Sequence, residues 1–195
     1  MTVNELPCVV YHGTLSIHKN SLIKGIDINR GYPSTDFGQG FYTTDNYDQA
    51  MDIAVGRTKA YFIKNHIEVL PIIVTYSLNL DMLKKCKGRI FEDSEIGLWK
   101  EFVYNNRVGL DYSVSSLHNL NHRYGYVYGA VADSNIIDMT REIKNGLIDY
   151  GAFADKLKVL KGGLYTQLSF HTNEAANALS IVNIKNVERE ELLIL

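Results

Sequence analysis

The stretch DFGQGFYTT, residues 36–44, carries two glycines two positions apart and then an aromatic pair. Because glycine permits sharp turns, Gly38 and Gly40 predict a tight loop, and Phe41 and Tyr42 predict entry into a strand. Taken alone, the stretch is better explained as an Asp-initiated turn before an amphipathic edge strand than as a ligand site. Its glycine spacing matches neither a Walker loop nor a dinucleotide fingerprint.

Around this stretch, short apolar runs rich in β-branched and aromatic residues predict further strands. These runs cover residues 8–11, 69–80, 124–133, 165–172 and 178–187. The helical patterns are grouped between the strands and do not alternate strictly with them. This order favours an α+β fold over a parallel doubly wound sheet.

Three segments show helical spacing. The first begins at the N-cap pair Thr44-Asp45 and ends near His66. The second covers residues 94–107, where an apolar stripe is formed by Ile96, Trp99, Phe102 and Val103. The third covers residues 140–160 and is predicted to be two short helices, because Gly146 and Gly151 interrupt it.

Length and charge limit the classes of protein. The 195 residues predict one domain, 1–195. With 20 basic and 22 acidic residues the net charge is −2, which disfavours electrostatic coating of nucleic acid. The two cysteines, Cys8 and Cys86, predict neither a disulfide framework nor a zinc site, so we expect a reducing cytoplasm and no metal. We also expect no signal peptide and no membrane span.

The second informative segment is YHGT, residues 11–14, at the end of the first predicted strand. A histidine followed by glycine places an imidazole beside an uncovered backbone amide and carbonyl, which together can hold a flat amide or a ribose hydroxyl. In isolation, such a histidine is more often a core or cap residue than a catalyst.

Together the two segments, followed by a helix that carries Asp48-Gln49-Ala50, resemble the nicotinamide-binding half of the ADP-ribosyltransferase superfamily, in its diphtheria-toxin and poly(ADP-ribose)-polymerase branch. More closely, the chain is similar to an uncharacterised bacterial family of that superfamily. The resemblance extends over five ordered blocks across most of the chain: YHGT, DFGQGFYTT, WKEFVYNNR (99–107), YVYGAVAD (126–133) and QLSFHT (167–172).

The resemblance implies a split β-sandwich with helices packed around a central NAD cleft. It implies that His12 binds a ribose hydroxyl and that the backbone of Gly13 meets the nicotinamide carboxamide, with Thr14 of the same motif also among the NAD-binding residues. It also implies that Tyr42 stacks on the nicotinamide ring. Ile53 stands where the polymerase branch has a second stacking tyrosine, so the stacking is one-sided or Phe41 or another aromatic supplies the other face.

The third catalytic position of the superfamily is usually glutamate, and here it is Gln167. A glutamine can position the ribose, but it cannot act as a base or offset positive charge. Three explanations stay open: the acceptor is nucleophilic enough unaided, a base comes from elsewhere such as Glu174, or the chain binds NAD or ADP-ribose without turnover. For Glu174, a carboxylate in the first turn of a helix is the preferred interpretation.

Two arginines are candidate diphosphate ligands. Arg30 lies in the connection expected to border the cleft, with simple exposure to solvent as the alternative. Arg107 either forms a surface ion pair or reaches a pyrophosphate. His118 and His122 have the spacing of metal ligands, but we interpret them as exposed loop histidines, because no glutamate stands between them and no third ligand is evident.

The function predicted from these residues is NAD-dependent mono-ADP-ribosylation of a macromolecular acceptor, protein or nucleic acid. The alternatives are an NAD glycohydrolase and a non-catalytic module that binds NAD or ADP-ribose. By analogy with the superfamily, we expect a bacterial toxin or phage-defence effector that travels with a neutralising antitoxin.

Overall fold

The structure, a computed structural model, describes residues 1–187 and contains two sheets with helices outside them. A three-stranded antiparallel sheet has the order β1-β3-β7, with β1 Val9–Leu15, β3 Pro71–Leu78 and β7 Leu179–Asn186. A four-stranded sheet has the order β2-β6-β5-β4, with β2 Phe41–Thr43, β6 Thr166–Phe170, β5 Tyr126–Ala130 and β4 Gly88–Ile90. Its β4–β5 pair is parallel and its other pairs are antiparallel.

The α-helices are α1 Lys19–Lys24, α2 Tyr47–Asn65, α3 Leu80–Leu83, α4 Ile96–Val108, α5 Ile136–Lys144, α6 Tyr150–Lys156 and α7 Asn173–Ala176. Short 3-10 turns cover Val3–Glu5, Ser16–His18, Ile28–Arg30, Asp93–Glu95, Leu110–Tyr112 and Leu160–Gly163. Among the helices of residues 1–187, none combines the length and apolar character needed to cross a bilayer.

The sheets pack face to face, so the main apolar core lies between them and includes Val74 and Tyr76 from β3 with Leu168 and Phe170 from β6. A second core lies on the other face of the four-stranded sheet, where α4, α5 and α6 cover Val127. Helix α2 packs on the outer face of the three-stranded sheet, through Ala50. The α+β prediction is therefore confirmed, as four layers with the sheets in the middle.

Several predicted boundaries are wrong, each for a local reason. Helix α2 is capped by Asn46, whose side chain accepts from Gln49 N, because the backbone of Thr44 is already bridged to Tyr11. The short strand β4 was not predicted, because its three residues form no apolar run.

The remaining differences concern helix interiors. Gly146 does follow the end of α5, at φ +70°, but Gly151 lies inside α6, which Asp149 caps at Ala152 N. In α4, Trp99, Phe102 and Val103 are buried as predicted, whereas Ile96 is 44% exposed because it is the first residue of the helix.

The two sheets meet along one edge. Tyr11 of β1 and Thr44 after β2 exchange two backbone hydrogen bonds of 2.7 and 2.9 Å, which form an isolated antiparallel bridge. From this bridge β1 continues with β3 and β2 continues with β6, so the sheets diverge. The divergence leaves an opening between β1 and β2 next to α2.

Candidate functional site

A pocket of about 70 Å³ lies in this opening. It is lined by residues 11–13 of β1, residues 42–44 from the end of β2, Gln49, Ile53 and Arg57 of α2, Val131 and Gln167. The pocket therefore brings together four residues singled out from the sequence: His12, Gly13, Tyr42 and Gln167.

Gly13 presents its backbone to the pocket. The N–H and C=O of Tyr11 point toward Thr44, and the two-residue period of a strand turns those of Gly13 to the same side, away from β3. The Gly13 oxygen accepts a hydrogen bond of 2.9 Å from Arg57 Nη1. A Cβ at position 13 would overlap the carbonyl oxygen of Ala50, so glycine is also required for α2 to pack this closely on β1.

His12 is a neutral, oriented imidazole. Its Nδ1 lies 2.7 Å from the carbonyl oxygen of Tyr42, which can only accept, so Nδ1 carries the proton and Nε2 is left as an acceptor. Burial, with the positive charge of Arg57 as the second cause, lowers the pKa of His12 to about 3. The Phe41 ring lies against the imidazole at 4.4 Å between centroids.

Tyr42 contributes its ring and not its hydroxyl. The hydroxyl donates to Gly38 O at 2.7 Å, accepts from Phe37 N at 3.1 Å and lies 2.8 Å from Thr35 Oγ1. Burial raises the pKa of Tyr42 well above its ordinary value, so the phenol stays protonated. The DFGQGF loop thus fixes the ring at the wall of the pocket, and Gly38, at φ +88°, makes the required turn.

Gln167 is held from behind by a buried carboxylate. Its Nε2 donates to Asp36 Oδ2 at 2.9 Å and to Ala130 O at 3.1 Å. Both partners can only accept, so the amide orientation is fixed and Oε1 is the atom that Gln167 can offer to a ligand.

Asp36 in turn forms an ion pair with Arg107. Its Oδ1 accepts from Arg107 Nη2 at 2.6 Å and from Nε at 2.9 Å, and its Oδ2 also accepts from Ala132 N at 3.2 Å. The side chains of Asp36 and Arg107 are only 5% and 17% exposed. Arg107 therefore forms an ion pair, but a buried one and not the surface pair that was predicted. Through Asp36 this pair holds Gln167 in place.

Helix α2 supplies three pocket residues, and two of them, Gln49 and Arg57, were not predicted from the sequence to be site residues. Gln49, Ile53 and Arg57 follow one another at a spacing of four, which places them on one face of the helix. Gln49 is buried and tied on both sides: Oε1 accepts from Thr44 Oγ1 at 2.8 Å, and Nε2 donates to Thr166 O at 3.0 Å. The signal was present, because Ile53 was already singled out and its neighbours four residues away share its face.

The other predicted ligands lie outside the lining of this pocket. Thr14 is buried further along β1, and Phe41 is in the core behind His12. Arg30 is 65% exposed in its side chain and donates to Ser21 Oγ at 2.8 Å. Glu174 is exposed in the first turn of α7, in agreement with the preferred interpretation of that residue.

His118 and His122 do not share a helix face. They lie in the loop before β5, where His118 is 9% exposed and its Nδ1 accepts from Leu120 N at 3.3 Å, so the expectation that it is exposed is wrong. His122 adopts φ +53°. Within residues 1–187 the structure shows no group of three potential metal-ligating side chains.

A search of curated proteins and a search of solved structures each return no match. A scan against protein-family models matches residues 8–181 to the family described as "Protein of unknown function (DUF3990)". The match covers both motifs that line the pocket and extends to β7. The chain therefore belongs to the DUF3990 family.

Proposed function

We propose that the protein binds NAD in the pocket between β1 and β2 and transfers its ADP-ribose to a macromolecular acceptor. One observation carries the proposal: His12, Gly13, Tyr42 and Gln167, named from the resemblance to ADP-ribosyltransferases, line one pocket although up to 155 positions separate them (167 − 12). On this proposal the two diverging sheets form the split β-sandwich of that superfamily.

The polar atoms of the pocket match the nicotinamide end of NAD. The Gly13 N–H and C=O form a donor and acceptor pair that a primary carboxamide complements. The fixed Tyr42 ring offers a π face to the pyridinium cation. His12 Nε2 and Gln167 Oε1 are acceptors, and ribose hydroxyls are the donors that suit them.

NAD supplies a glycosidic bond that breaks when nicotinamide leaves with the bonding electrons, and the acceptor then bonds to the ribose carbon and loses a proton. The chain holds the leaving group on Gly13 and Tyr42 and orients the ribose with His12 and Gln167. Among the lining residues of the described chain there is no carboxylate. His12, with its low pKa, is a poor base, so the acceptor must be a good nucleophile in its own right.

A second candidate function is a non-catalytic module that binds NAD or ADP-ribose. It is favoured by the position of Gln167, which is locked against the Asp36–Arg107 ion pair and contributes no charge to the pocket. An NAD glycohydrolase, in which water is the acceptor, uses the same pocket and differs only in its need for a partner.

The cellular setting is proposed from the resemblance alone. A bacterial toxin or phage-defence effector acting in the cytoplasm, paired with a neutralising antitoxin, agrees with the functions known for short members of the superfamily. The pocket geometry supports NAD as the substrate and leaves the identity of the acceptor to experiment.

The test is release of nicotinamide from NAD by the purified chain, alone and with bacterial lysate. Release that requires lysate is expected, and transfer of labelled ADP-ribose then identifies the acceptor. Release without lysate would instead support the glycohydrolase, and NAD binding without release would support the non-catalytic module. His12→Ala is the control, since it removes an acceptor from the pocket and must lower any genuine release.

A further inference from the structure

The Gly13 carbonyl, which faces the pocket, is covered by a side chain of the protein itself. Arg57 Nη1 donates to this oxygen at 2.9 Å. A carboxamide bound to the Gly13 backbone would direct its own N–H to the same oxygen, so the guanidinium and the carboxamide use the same acceptor. Arg57 therefore stands in the position that part of the ligand must take.

Arg57 is held at this position by little else. Arg57 lies on the face of α2 that borders the pocket, and none of the salt bridges among residues 1–187 involves it. The residue as a whole is exposed, although burial of its guanidinium lowers its pKa. Long exposed side chains exchange rotamers readily. Breaking one hydrogen bond to a backbone carbonyl is thus enough to release the guanidinium from Gly13.

The size of the pocket also requires a movement. Its volume of about 70 Å³ is roughly half of the ~150 Å³ of an engineered apolar cavity that accepts benzene. A pyridine ring with a carboxamide is larger than benzene. Arg57 is the exposed, charged member of the lining, and its displacement opens space next to Gly13 without moving a strand.

Once displaced, the guanidinium remains close to the positive charge of Arg30 and to the imidazole of His18. Burial lowers the pKa of His18, and the charges of Arg30 and Arg57 lower it further, which places all three groups in one neighbourhood. A guanidinium released from a neutral carbonyl into this neighbourhood is a good partner for phosphate oxygens. The site therefore favours a ligand that carries both a carboxamide and a phosphate.

We propose that Arg57 is a displaceable plug: it covers the Gly13 carbonyl in the free protein, yields this acceptor to the carboxamide of the ligand, and then binds the diphosphate. The proposal rests on the proposed function, because it takes the pocket to be the nicotinamide site. Arg57 then selects the intact dinucleotide over free nicotinamide, since only the dinucleotide has a diphosphate with which the displaced guanidinium can form an ion pair.

The experiment measures the affinities of nicotinamide and of ADP-ribose separately, by calorimetry, for the wild type, Arg57→Ala and Arg57→Lys. Arg57→Ala is expected to bind nicotinamide about 5- to 10-fold more tightly, since no hydrogen bond must be broken first, and ADP-ribose about 10-fold more weakly. Arg57→Lys keeps a positive charge and is expected to retain most of the ADP-ribose affinity. Lys59→Ala, which removes a charge from the same helix outside the pocket lining, should change neither affinity by more than about twofold.

The opposite signs of the two changes are the signature of a plug. If Arg57→Ala weakens both ligands, or leaves both unchanged while the wild type binds them, the plug is wrong and the proposed function stands. If nicotinamide and ADP-ribose bind to neither the wild type nor any variant, the proposed function is wrong and the plug falls with it.

Discussion

Arg107 and Arg57 carry the same guanidinium and both act at the pocket, yet their surroundings differ completely. Arg107 makes two hydrogen bonds to the buried carboxylate of Asp36 and a third to Ser34 O, at 3.0 Å. Arg57 makes one hydrogen bond, to Gly13 O, and takes part in none of the salt bridges among residues 1–187. The pocket therefore has a fixed wall, where the buried Asp36–Arg107 ion pair holds Gln167, and a movable wall, where Arg57 covers Gly13.

The two arginines differ in how firmly they are held, and this difference suits Gln167 to the fixed wall and the displaceable side chain of Arg57 to the movable wall. An acceptor that orients a ribose is useful only if it stays in place, and Asp36 and Arg107 keep it there. A group that must make way for a ligand has to be held weakly. The predictions below separate the two walls, beginning with the largest effect.

Arg107→Ala is expected to destabilise the fold by about 3–5 kcal/mol, because it leaves the buried Asp36 carboxylate without its counter-ion. Denaturant unfolding measures the loss. The matched control is Arg57→Ala, which removes the same side chain from the other side of the pocket and should cost only about 1 kcal/mol, because it breaks a single hydrogen bond to Gly13 O. Equal losses in the two variants would erase the distinction between the walls.

Gln167→Glu is expected to cost about 2–3 kcal/mol at pH 7, because it replaces a donor to Asp36 with a second carboxylate. Protonation of one carboxyl restores the donor, so the difference in unfolding free energy from the wild type should shrink as the pH falls. Gln167→Leu, which adds no charge, should show a difference that does not shrink in this way. A Glu variant as stable as the wild type at pH 7 would show that Asp36 does not face position 167.

Tyr42→Phe is expected to destabilise the protein by about 1–2 kcal/mol, because the hydroxyl both donates to Gly38 O and accepts from Phe37 N. The ring remains, so NAD affinity should stay within about threefold of the wild type. Thermal or denaturant unfolding and calorimetry measure the two quantities. A large loss of NAD affinity with unchanged stability would assign the hydroxyl to the ligand and not to the loop.

The smallest expected effect is a pH dependence of stability. The pKa of His12 is depressed to about 3 in the folded chain, against about 6.5 in the unfolded chain. Between pH 6.5 and pH 3 the unfolded chain therefore binds a proton that the folded chain does not bind, so the free energy of unfolding decreases as the pH falls. From pH 7 to pH 5.5 this contributes about 1 kcal/mol. His12→Asn should therefore lose about 1 kcal/mol less than the wild type over this range, and an identical loss would contradict a neutral His12.

His171 adds to the same trend and must be kept in both proteins. It is fully buried with its ring nitrogens near Ser169 Oγ and Gln39 O, each at 2.8 Å, and burial lowers its pKa to about 4. Because His171 is present in the wild type and in His12→Asn, its contribution cancels in the comparison. The remaining difference in the pH dependence of the unfolding free energy is therefore due to His12.

The sequence was sufficient for much of the fold because its strands are concentrated apolar runs. The run at residues 69–80 contains β3, Pro71–Leu78, which is mostly buried and lies at the centre of its sheet. Short elements such as β4 were not predicted, since three residues are too few to show the alternation of apolar and polar side chains that is typical of a strand. The cap of α2 was misplaced because Thr44 is a good N-cap in isolation, but its backbone is taken by a bridge to Tyr11, 33 positions away in the chain (44 − 11).

The candidate site was predictable where local motifs form it and not where distant groups meet. His12 and Tyr42 stand in recognisable segments and do line the pocket. Asp36 opens one of those segments, yet its role arises from Arg107, 71 positions later. Arg57 belongs to no motif, and only the helical period from Ile53 points to it.

The most direct test of the account is calorimetric titration of NAD into the wild type and into Tyr42→Ala, with Tyr42→Phe as the control that keeps the ring. The account predicts that NAD binds to the wild type and to Tyr42→Phe, and that Tyr42→Ala, shown to be folded by its thermal unfolding, gives no detectable binding because the stacking surface is gone. Equal affinity of NAD for the wild type and for Tyr42→Ala, or no binding to the wild type, would contradict the assignment of this pocket to NAD.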